Sequence, residues 1–426
     1  MIPAKKRMLI ILLLSFMLLF ALCGCGAAPE ETPSPSAQAT PSPEPSPSPS
    51  AELEVTPTPE PVPEPDPIEL QVQSMTTGQK VGQLLLAGIE GTTAGEDAVY
   101  AVQTVQVGGL ILFRRNIESC AQTAGLVSDL KALNEGYIPM LISADEEGGT
   151  VSRMPAGEVL DLPSASYFGK FEDPSLALQL GQALAAQCSA LGVNTDFAPV
   201  ADVWSNPDNT VIGKRAYGTE PELVAKLVPN VAEGLTQGGV IPVVKHFPGH
   251  GDTAVDSHYD LPVVTKTLEE LEELELIPFR AAIESGAPAV MVAHLLVREI
   301  DDTLPATLSP KVVDGLLRSE LGFNGVVFTD DLTMGAISNT YGMGEAAVLA
   351  IEAGCDVLLV CHGTDNLKAA YEALLEAVNS GRISLERLDD SVYRILKLKT
   401  DYSLTNDPVP EPDVAALNEL LKPLVP

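Results

Sequence analysis

The sequence predicts an α/β protein of the (β/α)8 barrel class, with a single catalytic domain. Eight short apolar runs recur along one stretch of the chain, and helix-like segments separate them. Five consecutive runs also end in polar, mostly titratable residues, and the C-terminal rim of a parallel barrel is where active sites are built. The runs are Leu84–Ile89, Leu110–Phe113, Met140–Ala144, Val193–Val200, Val240–Val244, Ala289–Ala293, Val326–Phe328 and Val357–Val360. They are short and rich in Val, Ile and Leu, as buried parallel strands require. Between them lie helical patterns such as PSLALQLGQALAAQCSALG (174–192), TLEELEELELIPFRAAIESG (267–286), SPKVVDGLLRSELG (309–322) and DNLKAAYEALLEAVNSG (365–381). Several end in Gly, a common helix stop. An open doubly wound sheet is the competing architecture. No glycine-rich phosphate fingerprint follows the first strand, which disfavours a nucleotide-binding version.

The barrel is expected over residues 68–404 of a 426-residue chain, and what flanks it has a different character. Residues 1–24 join a basic start, Lys5, Lys6 and Arg7, to an apolar run from Met8 to Leu22, the pattern of a secretory signal. The run ends in Leu22-Cys23-Gly24-Cys25, which resembles a bacterial lipobox, with Cys25 as the lipidated first residue after cleavage. Plain secretion and an uncleaved anchor are the alternatives. Residues 25–67 are then a linker of Pro, Ser, Thr, Glu and Ala, with too little apolar surface to fold and a bias to extended polyproline geometry. Together these segments predict an exported protein, lipid-anchored on the outer face of a bacterial cell membrane. Residues 405–426 form a short tail with a proline-rich turn and one short helix. The formal charge of −33 excludes nucleic acid and anionic lipid as natural partners. Cys120, Cys188, Cys355 and Cys361 show neither CxxC nor metal-site spacing and are expected as buried thiols. No metal or cofactor is expected.

The stretch Lys245–Pro262, KHFPGHGDTAVDSHYDLP, holds three of the five histidines, three aspartates and a lysine directly after a strand-like run. Other strand ends supply Asp145-Glu146-Glu147, Asp202, His294 and Asp330-Asp331. Caps and turns use Asp freely, so one such residue means little; five at one rim point to a site. Carboxylates and a histidine converge there, without a GxSxG elbow or metal spacing. A carboxylate nucleophile with a separate proton donor is the arrangement of retaining glycoside hydrolysis. Lys245, Asp145 and Arg215 suit a polyhydroxylated substrate.

KHFPGHGDTAVDSH, ISADEEGG, VGGLILFRRNI (107–117), LGVNTDFAPVADV (191–203), VIGKRAYG (211–218) and FTDDLTMGAI (328–337) resemble glycoside hydrolase family 3, in its β-N-acetylhexosaminidase branch. The resemblance covers roughly residues 74–400 and implies a TIM barrel. It implies Asp330 as nucleophile, His258 as general acid/base and Asp256 as the partner that orients that histidine. It also implies that Asp145, Arg215, Lys245 and His246 bind sugar hydroxyls. An i, i+2 Asp/His pair in a loop can fix one ring tautomer, and histidine titrates near pH ~6.5, suited to proton transfer near neutrality. Asp331 points to the opposite face from Asp330 and reads as structural. His250 reads as an internal loop contact and His294 as a rim contact, while His362 is undecided between rim and solvent. Two departures stand out: Thr150 where relatives have Arg, and Glu146 where they have Gln or His. If these positions touch the leaving group, its identity differs here.

The expected activity is release of terminal β-linked N-acetylglucosamine, with peptidoglycan fragments as the substrate suited to a wall-facing enzyme. A phosphorylase using the same residues, a β-glucosidase-type member and an inactive wall-binding lipoprotein are the alternatives. The barrel lacks the added domain that carries the acid/base in β-glucosidases, and the nucleophile and the Asp/His pair are all present.

Overall fold

A computed structural model describes residues 65–253, 257 and 261–426. The signal, Cys25, most of the linker, Asp256 and His258 lie outside the described residues. Eight parallel strands close into a barrel: β1 (Leu85–Gly88), β2 (Gly109–Ile111), β3 (Leu141–Ala144), β4 (Thr195–Asp196), β5 (Ile241–Phe247), β6 (Ala289–Val292), β7 (Val326–Asp331) and β8 (Val357–Val360). Each strand pairs with its neighbour in sequence, and β8 returns to β1 with Leu358 opposite Leu85. Every strand is buried along most of its length, which is why apolar runs mark all but β4, whose two residues are a buried Thr-Asp pair.

Three departures from the expected elements have local causes. The fourth run forms a strand only over Thr195–Asp196; past it, Pro199 has no N–H to donate to a ladder, and pairing with β5 resumes as an isolated bridge from Val200 to Lys245. Strands β5 and β7 run three residues past their apolar stretches, through Lys245-His246-Phe247 and Thr329-Asp330-Asp331, so polar residues are carried on rigid strand. The helical pattern at 267–286 divides into Leu268–Glu272 and Leu276–Glu284. Pro278 supplies no N–H to the carbonyl of residue 274, and the restart places it in a first turn, where no such bond is needed.

A parallel ribbon of Val263–Val264 and Leu296–Val297 ties the loop after β5 to the loop after β6. Helix Leu385–Asp401 is followed by the tail, whose helix Val414–Leu421 has Leu417 and Leu421 buried. The four cysteines are separate buried thiols. Among the described residues, no helix is long and apolar enough to cross a membrane.

Candidate active site

At the C-terminal ends of the strands lies a cavity of about 270 Å³. Asp145, Arg215, Lys245, His246 and Asp330, all expected at the site, line it together. Ser257, between the two residues of the expected Asp256/His258 pair, lines it as well.

One wall is a continuous chain of charge. Arg153 Nη2 donates to Asp145 Oδ2 at 2.8 Å, and Lys245 Nζ donates to Asp145 Oδ1 at 2.8 Å. The same ammonium lies 2.7 Å from Glu147 Oε1. Arg215 grips Glu147 with two parallel bonds, Nε to Oε2 at 2.8 Å and Nη2 to Oε1 at 2.7 Å. Its Nη2 also lies 3.2 Å from His246 Nε2, and His246 Nδ1 donates to Asp202 Oδ2 at 2.6 Å. From Arg153 through Asp145, Lys245 and Glu147 to Arg215, cations and anions alternate, so each of these charges faces an opposite one. Burial raises the Asp145 and Glu147 carboxyls. For Asp145 this is outweighed by Lys245 and Arg153, and for Glu147 by Arg215 and Lys245, so both stay ionised well below the usual carboxylate range. Burial works against the Lys245 ammonium, and Asp145 and Glu147 still hold its pKa above normal.

Asp330, next to last in β7, lines the same cavity. Burial pushes its carboxyl up, but His294, then His246, the Asp331 amide and Lys245 together hold it below normal. It accepts the Asp331 N–H at 2.8 Å. Asp331 lines the same cavity, contrary to the opposite-face expectation, and its carboxylate also serves the turn, accepting from Thr333 N at 2.9 Å and Cys361 N at 3.1 Å. His294 donates from Nε2 to the Asp331 carbonyl at 2.9 Å and pairs through Nδ1 with Thr307 Oγ1 at 2.7 Å. It therefore fixes the strand end beside Asp330.

The loop after β5 is pinned at its root. The peptide bond Lys245–His246 is cis, and both side chains line the cavity. Asp202 accepts the His250 N–H at 2.6 Å, and the His250 ring bonds Thr253 Oγ1 at 2.8 Å and Ser257 Oγ at 3.3 Å. Burial, then His246, lower the His250 pKa, as suits a neutral ring held inside the loop. Buried Asn209 donates to the His250 carbonyl at 2.7 Å. Lys266 bonds Glu275 and lies 3.4 Å from Asp252. Gly249, at φ +131°, packs on Glu275, where a Cβ would meet Glu275 Cγ at 2.6 Å.

At the mouth, His362 stacks on Phe113 with ring centroids 5.4 Å apart, and the Arg115 guanidinium covers that phenyl ring at 4.6 Å. His362 thus belongs to the rim. Glu146 is buried beneath the loop and Thr150 is exposed, and neither lines the cavity. Arg153 and Glu147 join the site instead. They carry no sequence signal of that role beyond following Asp145 in the same loop. Asp202 stands at an expected strand end, and its partnership with His246 depends on how β4 and β5 are aligned. Among the described residues no cluster of three His, Cys, Asp or Glu is placed to hold a metal.

Residues 76–398 match the model of the glycosyl hydrolase family 3 N terminal domain. A beta-hexosaminidase of Nitrosomonas eutropha is 36% identical over 323 residues, covering 74% of this chain and 91% of that protein. A beta-hexosaminidase of Neisseria meningitidis is 39% identical over 290 residues, covering 66% of this chain and 79% of that one. The solved structure of a glycoside hydrolase family 3 beta-N-acetylglucosaminidase from Paenibacillus superposes with a TM-score of 0.78 at 45% identity, covering 82% of this chain and 68% of that one. Three-quarters of the sequence, the closed parallel barrel and the acidic strand ends meet in one assignment: the chain belongs to glycosyl hydrolase family 3.

Proposed function

We propose that the chain is a retaining β-N-acetylhexosaminidase that removes terminal β-linked N-acetylglucosamine. One observation carries the mechanism: Asp330, held ionised on a rigid strand end, lines one cavity together with a saturated chain of hydrogen-bonding charges. The Asp330 carboxylate attacks the anomeric carbon and forms a glycosyl ester as the bond to the leaving oxygen breaks. His258 gives that oxygen its proton. It then takes a proton from the water that attacks the ester, which frees the sugar and restores both residues. Asp256 accepts the other ring N–H of His258. In this reading Asp145, Arg153, Lys245 and His246 hold sugar hydroxyls, supported by their lining one cavity, and Arg215 fixes Glu147 so that Lys245 stays aimed.

Peptidoglycan fragments ending in N-acetylglucosamine are the natural substrate in this proposal. The signal-like start and long linker support it, since a tethered exported enzyme meets wall glycan. The lipid attachment at Cys25 belongs to the same proposal.

Asp330→Asn tests the mechanism, because it removes the nucleophile with little change of shape. Hydrolysis of an aryl N-acetylglucosaminide should fall by about 10³-fold or more with the melting temperature nearly unchanged. Activity within tenfold of the parent would remove Asp330 from the nucleophile's role.

A further inference from the structure

The family match ends at residue 398, yet the chain continues through a proline-rich turn into helix Val414–Leu421. That helix packs on Pro174–Leu191 through buried Leu417 and Leu421. From its half-buried flank Asn418 reaches the loop that follows β3. The Leu160 N–H donates to Asn418 Oδ1 at 2.7 Å, and Asn418 Nδ2 donates to the Glu158 carbonyl at 2.9 Å. One amide side chain thus supplies an acceptor and a donor to two nearby backbone groups, as a neighbouring strand would.

The clamped segment is the return arm of the loop that carries the active-site charges. Leu162 O accepts the Gly149 N–H at 2.8 Å, and the Val151 carbonyl accepts the Glu147 N–H at 2.9 Å. Arg153 N donates to Glu146 Oε2 at 2.6 Å. Between β3 and helix Ala165–Gly169 the loop has only isolated bridges, Gly148 to Val151 and Ala156 to Val159, and no extended ladder. A loop of this length keeps one shape only when contacts from outside fix it. Helix Pro174–Leu191 adds one, Gln187 Nε2 to the Leu160 carbonyl at 3.3 Å. Asn418 adds two.

We propose that Asn418 is a positioning residue: by clamping Glu158 and Leu160, the C-terminal helix holds the β3 loop in the shape that presents Arg153 to the sugar and seats Glu147 against Lys245 and Arg215. This rests on the reading of the β3 loop as part of the sugar-binding wall. The tail is also fastened elsewhere, where Asn406 Nδ2 donates to the Asn134 and Tyr137 carbonyls, each at 3.0 Å. That second fastening provides the control.

The test uses the full chain with Asn418→Leu, Asn418→Asp, Asn406→Leu and Arg153→Met. Steady-state kinetics on an aryl N-acetylglucosaminide are measured well below melting, with amide exchange at Gly149 and Leu160. Asn418→Leu should raise KM roughly 5-fold with kcat changed less, because the wall binds substrate and transition state alike. Exchange at Gly149 should quicken. Asn418→Asp keeps the acceptor for Leu160 and loses the donor to Glu158, so its KM should be intermediate; it decides the matter if the leucine variant does not fold. Asn406→Leu should lower the melting temperature and leave KM unchanged. Parent KM and parent Gly149 exchange in both Asn418 variants would overturn the proposal, as would an equal rise of KM in Asn406→Leu. Quickened Gly149 exchange with parent KM in both Asn418→Leu and Arg153→Met would leave the clamp standing and sink the sugar-binding reading of the loop.

Discussion

Glu146 is buried under the β3 loop rather than facing the sugar. Its Oε2 accepts Ser152 Oγ at 2.9 Å and the Arg153 N–H at 2.6 Å, while Oε1 has no partner among the described residues. Burial raises its pKa to about 7 against a partial offset from those donors. A carboxyl with a raised folded pKa contributes most below its unfolded pKa, near 4.5, and that contribution is lost as pH rises through about 7. Glu146→Gln keeps a carbonyl acceptor and removes the titration. It should match the parent's stability near pH 4.5 and exceed it at pH 8 by on the order of 2–3 kcal/mol, read from urea unfolding at both values. The same stability difference at both pH values would show that Glu146 does not titrate in this range. Residue identity at a strand end was enough to point to Asp145, Lys245, His246 and Asp330. It did not separate Glu146 from Glu147, which are adjacent in sequence but turn to the interior and to Arg215 respectively.

Among the elements, helices Pro174–Leu191 and Pro221–Gln237 approach most closely where two glycines meet. A Cβ on Gly234 would lie 2.3 Å from the Leu178 carbonyl oxygen, and one on Gly181 would lie 2.1 Å from that of Val231. These obstacles are backbone and cannot swing away. Alanine improves helix propensity by about 1 kcal/mol over glycine, yet the overlap outweighs it. Gly234→Ala should therefore cost about 2–3 kcal/mol or more in unfolding free energy. Gly125, exposed in helix Cys120–Leu133 with nothing within 4 Å of an added Cβ, is the contrast. Gly125→Ala should raise the melting temperature by about 1–2 °C, and if both variants respond alike the close crossing is not what constrains Gly234. Element type was legible wherever one period dominated: most strands read as apolar runs and the long helices as apolar stripes, whereas β4, a Thr-Asp pair within VNTDFAPV, did not. The Val263–Val264 and Leu296–Val297 ribbon was not, because two-residue strands depend on a partner more than 30 residues away. Nor did any local pattern show that the tail helix braces the β3 loop, since that rests on Asn418 meeting a backbone brought to it by the fold.

At the scale of the molecule, net charge and the proposed anchor make opposite demands on the membrane. The formal charge is −33, so the protein is repelled by anionic lipid, and no apolar helix among the described residues could hold it there. The proposal assigns membrane attachment to acyl chains on Cys25. Each buried methylene is worth about 0.8 kcal/mol, so two or more chains overcome a repulsion that salt screens within about 10 Å. Growth with an alkyne-tagged fatty acid should label the parent and Cys23→Ser and leave Cys25→Ser unlabelled. A chain beginning at Gly26, exported by an unrelated signal, should stay in solution with anionic vesicles at both low and high ionic strength and keep the parent kcat on an aryl N-acetylglucosaminide. Label retained in Cys25→Ser would move the attachment point. Vesicle binding by the shortened chain would show that the acidic domain carries a membrane contact of its own, contrary to what its charge predicts.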